Sequence, residues 1–168
     1  MCEKEQFYLD FLKKHQPMLP DEELSEDELR IYDDARKYFK QNSNKSCIPL
    51  FLNSFGDRDG FGVYQLVEVV IFQFSIEDVL THLKQALSNK SGSVQYWCAQ
   101  IAGSFPSEAL LPYLEALLYE RDFDIKCATL NSLYFFEFPK TKDIIARYIE
   151  KETNIELINI AKDLFPNC

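Results

Sequence analysis

Apolar residues recur along this chain with a helical period. Val63, Leu66, Val67, Val70 and Ile71 fall at i, i+3, i+4, i+7 and i+8, which is one face of a helix. The same spacing returns at Val94, Trp97, Cys98, Ile101 and Ala102. It returns again at Ile125, Ala128, Thr129, Ser132 and Leu133, and at Leu157, Ile160, Ala161, Leu164 and Phe165. The anchors Val63, Val94, Ile125 and Leu157 recur every ~31 residues, a period that signals stacked helical repeats.

Between these copies lie the partner helices. Glu5 to Lys14 predicts an N-terminal amphipathic helix with Phe7, Tyr8, Phe11 and Leu12 on one side, ended by Pro17 and Pro20. Ser25 followed by Glu28 fits a capping box for a second helix that reaches about Lys40 and buries Leu29, Tyr32, Ala35 and Phe39. Outer helices are expected with Ile48, Leu50, Phe51 and Phe55, then over Ile76 to Leu87, then after a Ser107 cap with Leu110, Leu111, Leu114, Leu117 and Leu118. A fourth, over Lys142 to Glu150, uses Ile144, Ile145, Tyr148 and Ile149. Asp122 or Asp124, and Thr153 or Asn154, can cap the last two inner helices. Phe74, Phe105, Phe138 and Phe165 stand before breakers and are expected to close each layer, with Pro106, Pro139 and Pro166 forcing the corners. The expected organisation is an N-terminal helical pair, residues 1–46, followed by repeats at 47–75, 76–106, 107–139 and 140–168 within one structural domain. The N-terminal pair is expected to cover the end of the stack, which would otherwise expose apolar surface.

Composition narrows the class. At 168 residues, 46% hydrophobic and 14% aromatic, the chain can bury a real core. The formal net charge is -9, the wrong sign for a phosphate-backbone binder and the right sign for a cationic protein partner. Cys2, Cys47, Cys98, Cys127 and Cys168 are odd in number and widely spaced, and His15 and His82 are isolated. Neither a disulfide framework nor a zinc site is expected. The charged N-terminus lacks a signal-peptide core and no run reaches ~20 apolar residues, so a reducing cytoplasm and no membrane span are expected.

Two helices per period, with Asp124-Ile125-Lys126 and Ala128 on one second helix and Val94-Gln95-Tyr96-Trp97-Cys98-Ala99-Gln100 on another, resemble the HEAT repeat over about residues 47–165. Tyr64, Gln95 and Lys126 stand where that family often carries arginine, so its Asp–Arg ladder is not expected here. The resemblance implies an all-α, short right-handed α-solenoid. The segment Gly60-Phe61-Gly62-Val63-Tyr64-Gln65-Leu66-Val67-Glu68 is also similar to small bacterial HEAT-like proteins, some of which resemble immunity proteins that neutralise secreted toxins.

In HEAT-like stacks the second helices line the concave side. Opposite the apolar anchors lie Gln65, Phe72, Tyr96, Cys127, Tyr134 and Asn159, and beside them Glu68, Gln100, Asn131 and Asp163. Aromatic rings among amides and acids suit a protein-binding patch. The expectation is a non-enzymatic binding module, monomeric when free and without cofactor or metal, that blocks a cationic toxin domain. An adaptor for a larger complex is the alternative.

Catalytic motifs are weak. Asp57, Asp59, Gly62 and Glu68 fit a calcium loop in part, but Phe61 occupies a position that needs an oxygen ligand, so a glycine turn is preferred. Gly56, Gly60 and Gly62 do not make a dinucleotide fingerprint. Glu115 with Glu120, and Glu150 with Glu152, read as solvated helix faces. A resemblance to HEAT-like alkylated-base glycosylases would cast Trp97 and Glu68 as site residues, but Trp97 falls on an apolar face and no basic groove is evident.

Overall fold

The computed structural model describes residues 2–166. Ten α-helices and two 3-10 turns occur among the described residues, with no strand, and no helix there is long and apolar enough to cross a membrane. The chain divides into two compact units, Met1–Trp97 and Cys98–Cys168.

The first unit holds α1 (Glu3–Lys14), α2 (Glu26–Gln41), α3 (Cys47–Leu52), α4 (Glu68–Ile71), α5 (Ile76–Leu87) and the start of α6 (Gly92–Ala102). Helix α1 packs on α2 and α3, α2 on α4, and α3 on α5. Leu12, Tyr32, Phe39, Phe51, Phe55 and Leu83 are wholly buried between them. On α1 the buried residues are Tyr8, Leu9 and Leu12, whereas Phe7 is 53% exposed, contrary to the expected face. The capping box of α2 forms as the sequence predicts. Ser25 Oγ accepts from the Glu28 amide at 3.2 Å, and the Ser25 amide donates to Glu28 Oε2 at 3.1 Å. Ser25→Ala leaves that first-turn amide without its acceptor and is expected to lower stability by about 1 kcal/mol, read by urea denaturation.

The expected continuous helix from Val63 is absent. A 3-10 turn, Tyr64–Leu66, precedes the four-residue α4. The chain enters from a left-handed stretch in which Arg58, Gly60, Phe61 and Gly62 have φ of 64°, 55°, 51° and 84°. It then turns Tyr64 inward, 1% exposed, so the buried set becomes Tyr64, Val67, Val70 and Ile71, while Leu66, Val69 and Phe72 face outward. One large ring seated among other rings outweighs the aliphatic face that the periodicity marks, because ring contacts add to the area that burial removes from water.

The second unit holds the remainder of α6, α7 (Leu111–Leu117), α8 (Phe123–Leu133), α9 (Pro139–Lys151) and α10 (Ile155–Leu164). Helix α7 packs on α8, α8 on α10, and α9 on α10. Side chains of Asp122 and Asn154 cap α8 and α10, and Ser107 caps the 3-10 turn Glu108–Leu110 that leads into α7. Ile125, Ala128, Thr129, Ser132 and Leu133 are all buried as the period predicts. Thr129 stays satisfied by donating to the Ile125 carbonyl at 2.7 Å.

Phe138 and Pro139 do not end α8. The helix stops at Leu133, and Pro139 is the first residue of α9, where its missing N–H costs no helical bond. Of the four phenylalanines expected to close layers, Phe105 is buried and Phe74, Phe138 and Phe165 are half-buried. Cys2, Cys47 and Cys127 are free thiols and Cys98 is buried; Cys168 lies outside the described residues.

Candidate functional site

In the first unit an aromatic cluster supports one loop. The Tyr64 ring meets Tyr32 at 5.5 Å, Phe55 at 5.7 Å and Trp97 at 6.1 Å, and Phe55 stacks on Trp97 at 5.8 Å. Burial pushes the Tyr64 hydroxyl up to about 12, so it stays neutral at physiological pH. Above this cluster runs the loop of residues 56–62. A Cβ on Gly56 would come within 2.7 Å of the Leu19 carbonyl and 2.8 Å of the Met18 carbonyl, so only glycine fits there.

The loop is tied down at several points. Buried Asp21 accepts the Gly60 amide at 3.2 Å, Trp97 Nε1 donates to the Arg58 carbonyl at 3.1 Å, and Arg58 pairs with Glu22. The Gly62 and Tyr64 amides both donate to the Asp59 carbonyl, at 3.1 and 3.2 Å. Left-handed backbone at a residue with a Cβ costs roughly 1–2 kcal/mol, so Arg58 and Phe61 are held against a local preference. Phe61 ends up 66% exposed.

The second unit contains a buried polar junction. Glu152 accepts from Lys126 Nζ at 2.6 Å, from the Tyr148 hydroxyl at 3.0 Å, and from the amides of Thr153 and Asn154 at 2.8 and 2.9 Å. Its side chain is 7% exposed and that of Lys126 15%. Burial alone would raise the carboxyl, but the four donors, Lys126 first among them, outweigh it and hold Glu152 down at about 2. The same burial and the Glu152 charge push Tyr148 above its ordinary value. The junction fastens α8 and α9 to the start of α10, and every oxygen in it is engaged within the fold. Two more pairs, Lys140 with Glu108 and Arg147 with Glu115, link α9 to the α7 segment at 3.1 and 2.6 Å.

The residues expected to bind a partner fall in both units. In the first, Gln65 is exposed in the 3-10 turn, Glu68 is half-buried at the start of α4, Phe72 is exposed just beyond α4, and Tyr96 is half-buried with its ring 5.2 Å from Trp97. Gln65 and Phe72 therefore do not stand on a long inner helix, as the Val63 period implied. In the second, Gln100, Asn131, Tyr134, Asn159 and Asp163 are all exposed. Tyr134 lies one residue past α8, with its ring 5.4 Å from Phe135 and 6.3 Å from Phe165. Tyr134, Phe138, Pro139, Leu164 and Phe165 line an open cavity of about 570 Å³. Phe135, 58% exposed, and Phe61 escaped the helical-wheel reasoning. Phe135 belongs to a run that leaves the helix, and Phe61 sits between two glycines, which was the available signal.

Trp97 spends its N–H on Arg58 and one ring face on Phe55, so it is a supporting residue of the loop and not an open stacking platform. No group of three His, Cys, Asp or Glu side chains is placed to hold a metal ion among the described residues. No protein-family model matches the chain, and no curated protein matches it either.

Proposed function

We propose that this chain is a non-enzymatic protein-binding module whose partner is a cationic protein. One observation carries the reading: Tyr134, 54% exposed, stands beside Phe165 at a cavity of the second unit, and its ring meets that of Phe135, 58% exposed. Exposed rings gathered round a concavity are the usual material of binding hot spots. The net charge of -9 favours capture of a basic partner. The HEAT-like solenoid belongs to the same proposal. Its support lies within the second unit, where consecutive helix pairs α7/α8 and α9/α10 contact through α8 and α10. Neutralisation of a cationic toxin by occlusion is the specific form we favour, and Gln100, Asn131, Asn159 and Asp163 would then lie at the rim.

The test is affinity purification from the native cell with the wild-type chain and with Tyr134→Ala/Phe135→Ala. A basic protein should come down with the wild type and be lost, by roughly tenfold or more, with the variant. The melting temperature should move little, because both rings are more than half exposed. Equal recovery by both proteins would remove the reading. Tight, strongly salt-dependent binding to DNA would instead revive a nucleic-acid enzyme.

A further inference from the structure

The loop of residues 57–62 in the first unit presents an exposed ring of its own. We infer that Phe61 is a rigid apolar finger that inserts into an apolar pocket on a basic protein surface. Two observations converge on this. Phe61 is 66% exposed, more than any other aromatic residue described here. Its backbone is left-handed, with φ of 51°, a conformation that a phenylalanine adopts only when its surroundings impose it.

Those surroundings are identifiable. Asp21 holds the Gly60 amide, Trp97 holds the Arg58 carbonyl, Glu22 holds the Arg58 side chain, and the Tyr64 ring lies within 2.8 Å of where a Gly60 Cβ would be. The fold therefore fixes the loop and sends the ring outward. A ring presented on a pre-ordered backbone loses little entropy on docking, which is what a hot spot requires.

Charge selects the occupant. Asp57 and Asp59 flank the finger and are exposed, and the only nearby cation in the loop, Arg58, is already paired with Glu22. A surface rich in Lys or Arg is attracted to this rim, whereas an anionic lipid surface is repelled. This surface does not depend on Tyr134 and Phe135, so the two can fail separately.

Glycine tolerates the left-handed backbone, so Phe61→Gly removes the ring without straining the loop. A display library on a small folded scaffold is panned against the full-length wild-type protein, and each binder is then measured against Phe61→Gly and against Tyr134→Ala/Phe135→Ala. The expected result is a class of basic binders that weaken as salt rises, lose roughly tenfold or more on Phe61→Gly, and keep their affinity for the double variant. Phe61→Asn, which also accepts this conformation, should behave as Phe61→Gly does and guards against a folding artefact of one substitution. Binders indifferent to both Phe61 variants, or Phe61-dependent binders that are acidic, would overturn the inference. So would Phe61-dependent adsorption to phosphatidylcholine vesicles, which would assign the ring to a membrane.

Discussion

Replacing Tyr64 by alanine is expected to destabilise the protein by about 3–5 kcal/mol, the range for deleting a buried aromatic ring. Tyr64 is 1% exposed and its ring touches Tyr32, Phe55 and Trp97, so its removal leaves a cavity walled by three large rings. The loop above loses its floor at the same time, because the Tyr64 side chain packs against Gly60. Tyr64→Phe keeps the ring and is expected to cost less than about 1.5 kcal/mol. Urea unfolding followed by tryptophan fluorescence measures both. The chain has one tryptophan, and it sits in the cluster, so the signal reports this site. A Tyr64→Ala protein with a wild-type midpoint would show that the ring cluster does not hold the loop.

Removing the carboxylate at Glu152 is the second large effect. Glu152→Ala leaves Lys126, only 15% exposed, without its counter-charge and the buried Tyr148 without the acceptor of its hydroxyl, so a loss of about 3 kcal/mol is expected. The junction also has a pH signature. The Glu152 carboxyl titrates at about 2 in the folded protein against 4.5 for the free group. Its contribution is complete above the unfolded value and disappears as pH falls from there through the folded value. Wild-type stability should therefore drop between pH ~5 and ~2, and Glu152→Gln should flatten that part of the profile. Parallel pH profiles for the two proteins would show that Glu152 is not held in this way. By contrast the exposed pairs Lys140–Glu108 and Arg147–Glu115 are expected to contribute less than about 1 kcal/mol each.

Much of the second unit was legible before any coordinates. Ile125, Ala128, Thr129, Ser132 and Leu133 are buried in the order their spacing implies, and Asp122, Asn154 and Ser107 cap where a short polar side chain precedes an apolar run. These signals are local, since each involves a handful of neighbouring residues. Lys126 shows the limit. The sequence marked it as a departure from an arginine ladder, but its partner Glu152 is 26 residues away, and Glu152 read as a solvated face. Proline misled in the opposite direction. Before a helix it reads as a breaker, yet at Pro139 it opens one.

From the chain alone one can obtain that the protein is helical, where most helices begin, and which faces of α2, α5, α7 and α8 turn inward. Those features rest on capping chemistry and a 3.6-residue period, both written within a single turn or two. Only the packed structure decided that the Val63 segment would break, that Tyr64 and not Leu66 would be buried, and that Phe61 would be left facing water. Those outcomes depend on rings from Tyr32, Phe55 and Trp97 meeting in space, and the energy of that meeting exceeds the local preference of any one segment.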